Sequence, residues 1–219
     1  MTTWSADPHP GENRFAASAA IAVMIAAQVA LNRELTFQPW WLLPGVECVL
    51  LAVLVVANPS RFVRESALIR TASLALIGVA SLITAWAAAR LVWMIATGHA
   101  PSDPAVLLLN GAGVWLTNVV VFALWFWELD RGGPAARAKG RCPDPDFLFP
   151  QMSTPELARE GWHPQFMDYL YVSFTNAAAF SPTDTMPLSR WAKLTMMGQS
   201  AISLVTAALV VARAVNVLR

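Results

Sequence analysis

The chain has 219 residues, 56% of them hydrophobic and 13% charged, with mean hydropathy +0.49 and net charge +1. Soluble domains carry about a quarter charged residues, so this composition points to an integral membrane protein. The small net charge offers no field for nucleic acid. Two cysteines (Cys48, Cys142) make no disulfide framework, and three scattered histidines (His9, His99, His163) make no metal-ligand spacing. Phosphate-loop, dinucleotide and nucleophile-elbow patterns are absent, so neither an enzyme nor a cofactor is expected.

Residues 1–13 are polar, contain two prolines and have too few apolar residues for a signal peptide, so a short flexible tail is expected. Phe15–Leu31 is an apolar run between Arg14 and Arg33, long enough to cross a bilayer of roughly 30 Å. Trp40–Ala57 is the second span, opening with a tryptophan pair suited to the interface and closing at Asn58-Pro59. Leu68–Gly98 is the third and longest. Ala105–Trp127 is the fourth, ending in Trp125, Phe126 and Trp127 before Glu128 and Asp130, which with Arg131 are expected at the interface. The polar segment 128–163 reads as loop in its first half, with a short helix over Ser153–Gly161. About ten residues from Pro164 form another short helix. The last span runs from about Trp191 to the end.

The loops on the N-terminal side hold Arg14, Arg61, Arg64, Arg70, Arg131, Arg137, Lys139, Arg141 and Arg159. The opposite side holds Arg33, Arg213 and Arg219. The positive-inside bias therefore puts the N-terminus and loop 128–163 in the cytoplasm.

Several polar residues fall inside the spans. Glu47 and Arg90 are each costly alone, and an ion pair between spans two and three is expected ahead of voltage sensing or proton relay. Asn110 and Asn118 share a face and join helices. In the last helix Thr195, Gln199, Ser203, Thr206, Val210 and Arg213 follow steps of three and four, a single stripe. The stripe either lines a water-filled conduit or acts as polar glue between packed helices. Ahead of it lies Phe174–Leu188 (FTNAAAFSPTDTMPL), where three alanines lead into the polar turn Ser181–Thr185. Such a turn beside a spanning helix is tolerated only where protein buries it or water reaches it. Its hydroxyls and Asp184 would form rings of oxygen if repeated around an axis; otherwise Asp184 would cap the next helix.

Tyr171–Lys193 resembles the pore segment of tetrameric potassium-channel-type proteins. The family pattern TVGYGD followed by xxP falls without a gap on Ala179-Phe180-Ser181-Pro182-Thr183-Asp184 and Thr185-Met186-Pro187. Ser173 matches a pore-helix serine, and Trp191 and Lys193 fall at the opening of the inner helix. The five-span layout is also similar to uncharacterised bacterial membrane proteins of the DUF1345 type. The resemblance implies an all-α integral membrane fold of five transmembrane helices, with a re-entrant pore helix and loop between the fourth and fifth. A three-helix region (14–104) would precede a pore unit (105–219) with outer helix, polar loop, pore helix and filter (164–187) and inner helix (188–219).

By the same resemblance, Ala179–Asp184 form the ion pathway, Thr195, Gln199, Ser203 and Thr206 line the cavity, and four copies assemble in the bilayer around monovalent or divalent cations. Potassium selectivity is not implied. That filter needs glycines where Ser181 and Thr183 stand, with Pro182 between them. The charge bias would also make the loop dip from the cytoplasm, as in ionotropic glutamate receptors. A non-conducting membrane scaffold or transporter-like subunit, with a structural turn, is the alternative.

Overall fold

The computed structural model describes residues 8–61, 66–142, 144–178 and 184–217. Among them the fold is helical: α1 (Phe15–Ala30), α2 (Leu42–Ala57), α3 (Ala67–Ala96), α4 (Pro104–Leu129), α5 (Pro134–Ala138), α6 (Pro150–Ser153), α7 (Phe166–Ala178) and α8 (Arg190–Val217). Two-residue strands β1 (Phe147–Leu148) and β2 (Met186–Pro187) pair antiparallel, Phe147 opposite Pro187. Three stretches are long and apolar enough to cross a membrane: Ala67–Ala96, Pro104–Gly132 and Arg190–Asn216. Helices α1 and α2, at 16 residues each, extend about 24 Å at 1.5 Å per residue.

Local chemistry sets the helix ends. Ser66 accepts the Ile69 N–H to open α3. Asp103 accepts the Ala105 N–H to open α4, where Pro104 sits at the first position and wastes no donor. The helix expected over Ser153–Gly161 is instead α6 followed by a 3₁₀ turn at Pro155–Leu157. Thr154 precedes a proline and is driven out of the helical region (φ −129°, ψ 68°), which separates the two.

Helix α4 is the hub, packing against α1, α3, α7 and α8, while α2 lies outside on α1 and α3. Gly111 permits the close approach of α8, since a Cβ there would lie 2.8 Å from a Val210 methyl. Asn110 and Asn118 join helices as expected. The Asn110 Oδ1 accepts the Asn32 N–H at the end of α1, and the Asn118 side chain donates to Ser203 on α8.

The structure does not pair Glu47 with Arg90. Glu47 is fully buried and receives a long hydrogen bond from Gln28 of α1 (3.4 Å), while Arg90 lies over the Trp93 ring and donates to the Glu34 carbonyl. The reason is register. In the α2–α3 hairpin, Glu47 stands ten residues from the end of α2 and Arg90 twenty-three from the start of α3. Arg90 is therefore carried roughly 20 Å past Glu47.

The described part of the N-terminal segment is not a loose tail. His9 stacks on His163, Arg61 donates to the Gly11 carbonyl, and Glu12 is buried against Arg137. Glu128, Asp130 and Arg131, expected at the interface, are 5% exposed or less. Folded chain covers them because the N-terminal strap (residues 9–13), α5 and the β1 region close over this end of α4.

Candidate functional site

The site is built on α7, which runs along only half of α4. Asp168 accepts the Gln165 N–H at its first turn, where a carboxylate also suits the helix dipole. The Tyr169 hydroxyl meets Asp130 at the end of α4 (2.5 Å). One turn on, the Ser173 hydroxyl donates to the Val119 carbonyl (2.6 Å). Ala177 then lies beside Trp115, whose indole points at its carbonyl (3.5 Å). By Leu188 the chain is back at its starting level, with the Leu188 N–H on the Asp146 carbonyl (2.8 Å) and β2 beside β1. The start of α7 and strand β2 thus stand at the same end of the bundle.

Two polar layers hold it. In the deeper one Gln199 of α8 donates to the Ser173 carbonyl and hydroxyl (3.0 and 2.7 Å) and accepts from Asn176 (2.8 Å). Asn176 also donates to the Met196 carbonyl, and Ser200 donates back to Asn176. The layer at the end of the bundle centres on Asp130, fully buried, which accepts from Tyr169, Arg131 and the Asp146 N–H. Asp146 accepts the Trp191 indole N–H (2.9 Å) and so fixes the start of α8. Alongside, Arg137 binds Glu12 (2.7 Å) and the Trp127 and Asp130 carbonyls. Burial alone would lower the Arg137 guanidinium, but Tyr169, Glu12 and Asp130 outweigh it and hold the group above its ordinary value.

Of the expected ion-pathway residues, Ala179, Phe180, Ser181, Pro182 and Thr183 lie outside the described residues, and Asp184 is exposed. Asp184 does not cap α8; Ser189 accepts the Ala192 N–H there. The expected cavity lining is corrected. Gln199, Ser203 and Thr206 are at most 3% exposed in the single chain, packed on the inward face of α8. Added copies can only bury them further, so they do not face a cavity. Thr195, partly buried, returns its hydroxyl to its own helix at the Trp191 and Ala192 carbonyls. The outward face of α8 is apolar, with Leu194, Met197, Leu204, Val205 and Val211 exposed. On α7, Met167, Tyr171 and Phe174 are each at least half exposed.

Glu12, Arg137, Asp146 and Tyr169 do not stand out in the sequence as site residues. Their partners stand up to 125 residues away, and no periodic pattern marks them. The one readable signal was the aromatic belt ending at Trp127, whose indole donates to Glu12. Among the described residues, no three His, Cys, Asp or Glu side chains gather as metal ligands. No family model matches the chain, and comparison with curated proteins and with solved structures returns no match.

Proposed function

We propose that the chain is one subunit of a homotetrameric pore-loop cation channel whose filter is not of the potassium type. The observation that carries this reading is that α7 goes halfway along α4, while Asp184 is exposed just before β2, which lies beside β1 near the end where α7 begins. A half-length helix with polar chain after it suits hydrocarbon depth only against protein or water. The segment is then a re-entrant pore helix and loop between the fourth and fifth spans, with α1 and α2 also crossing and Trp40 and Trp41 at the interface.

Four copies would bring the loops around one axis. Carbonyls and hydroxyls at Ser181–Thr183 would form the constriction, and Asp184 would concentrate monovalent or divalent cations. The outward apolar faces of α7 and α8 supply surface for neighbouring copies. Only 28% of the α8 span is buried within one chain, against 50% for α4. With the polar stripe turned inward, the cavity below the loop would be lined by the apolar face of α8. The resemblance to bacterial membrane proteins implies a bacterial plasma membrane, and the charge bias has the loop enter from the cytoplasm.

The burial of Gln199, Ser203 and Thr206 favours one competitor, a non-conducting scaffold in which these groups are glue and the turn is structural. Liposome flux separates the two. Purified protein should carry cations down a gradient, and Asp184→Asn should lower the flux by about threefold to tenfold, the scale of losing 0.7–1.4 kcal/mol of cation attraction. A tight protein-loaded vesicle under any cation gradient would leave the scaffold.

A further inference from the structure

Helix α2 carries one charged residue, Glu47. It is 0% exposed and stands against Gln28 of α1, itself 2% exposed. The Gln28 Nε2 donates to Glu47 Oε1 (3.4 Å). The second oxygen of each group, Glu47 Oε2 and Gln28 Oε1, is buried and has no hydrogen-bond partner. With Glu47 ionised both are acceptors, so neither can serve the other. Each is then left unsatisfied away from water.

A buried carboxylate also needs a positive charge close by, and α2 packs on α1 and α3. Helix α1 holds no charged residue, and α3 holds two, Arg70 and Arg90. Arg90 is carried roughly 20 Å past Glu47. Arg70 is three residues into α3 where Glu47 is ten back from the end of α2, which leaves about 10 Å between their levels. Arg14, ahead of α1, donates to the Leu54 and Asn58 carbonyls, which lie about 10 Å or more beyond Glu47 along α2. Cys48, the next residue, is exposed. Distance thus separates Glu47 from every cation on the elements around it.

One proton resolves both unsatisfied atoms. Placed on Glu47 Oε2 it makes a hydroxyl that can donate to Gln28 Oε1, while Oε1 of Glu47 stays the carbonyl that accepts from Nε2. A carboxylic acid and a primary amide join in this way, each donating once and accepting once. We propose that Gln28 and Glu47 form a proton-binding site between α1 and α2, with Glu47 held as the neutral acid and hydrogen-bonded to Gln28 in both directions. A metal cation on the same two oxygens would need several further oxygen ligands, so the proton is the better occupant. The site is separate from the channel reading and stands if that reading fails.

Infrared spectroscopy of the full chain in detergent at pH 7 tests it, because a protonated carboxyl absorbs apart from a carboxylate. Subtracting the Glu47→Gln spectrum from the wild type should leave one carboxylic acid C=O band that shifts in D2O and is the same in sodium and choline chloride. Gln28→Leu should move that band to higher frequency by removing its partner. The unfolding midpoint should be unchanged in Glu47→Gln, since an amide N–H replaces the acid O–H on the same Gln28 oxygen. A carboxylate band in the difference, in place of the acid band, overturns the proposal. So does conversion of acid to carboxylate when sodium replaces choline, or an acid band that Gln28→Leu leaves where it was. A Glu47→Gln variant that does not fold contradicts it as well, because glutamine can replace a neutral acid that donates once and accepts once.

Discussion

A glutamine in the middle of an apolar helix must satisfy two donors and an acceptor without water. Gln199 does so on Ser173 and Asn176. Gln199→Leu should therefore destabilise the fold by about 1–2 kcal/mol, read as a lower unfolding midpoint in detergent. Were the side chain facing a water-filled cavity, the substitution would leave the midpoint unchanged. The spacing from Thr195 to Arg213 was enough to find this face, because a 3.6-residue period survives in any sequence that buries one side of a helix. It could not say whether protein or water covers that face, since both satisfy the same groups. His9 is a second residue with a readable consequence. Burial first, then the charges of His163, Arg137 and Arg131, lower its pKa from 6.5 to about 4, and its Nδ1 accepts the Gly11 N–H. Between these values the released segment takes a proton that the docked one refuses, so docking is full above about pH 6.5 and weakens as pH falls towards 4. Proteolysis of residues 8–13 should accelerate between pH 7 and pH 5, and His9→Phe should flatten that dependence.

Helices came from the sequence far more readily than the contacts between them. The apolar runs placed α3, α4 and α8 to within a few residues, because length and hydropathy decide that outcome. The Glu47–Arg90 pair failed because charge matching ignored register, although counting from the Asn58-Pro59 turn would have separated the two residues. The layer around Asp130 was illegible for a different reason. It joins the N-terminal strap, the end of α4, the polar loop and the starts of α7 and α8, and only the folded chain brings these together. Packing between α4 and α8 depends on Gly111. Gly111→Val would drive two methyls into Val210, which Gly111 meets with no side chain of its own. The variant should lose about 1–3 kcal/mol, the usual cost of overpacking, while Gly78→Ala on α3, with nothing within 4 Å, should be neutral or better. Paired thermal unfolding of the two variants checks this, and equal midpoints would show that α4 and α8 do not approach as described.

For the whole molecule, topology and conduction are the open quantities. Cys142 is exposed in the polar loop and Cys48 is exposed on α2, within an apolar helix. With Cys48 replaced by serine, an impermeant thiol reagent should leave Cys142 unlabelled in intact cells and label it in inverted vesicles. Fast labelling of intact cells would reverse the orientation and bring it into line with potassium channels. The half-length α7, with β2 back beside β1, and the outward apolar faces of α7 and α8 both suit a pore shared by several copies. The tetramer and its ions rest on the resemblance of Ala179–Pro187 to a pore segment. Single-channel recording from purified protein in planar bilayers tests the central claim most directly. A cation channel predicts unitary current steps whose reversal potential follows the cation gradient in asymmetric salt and whose amplitude falls in Asp184→Asn. Silent bilayers with correctly inserted protein, or a reversal potential that follows the anion, would contradict it.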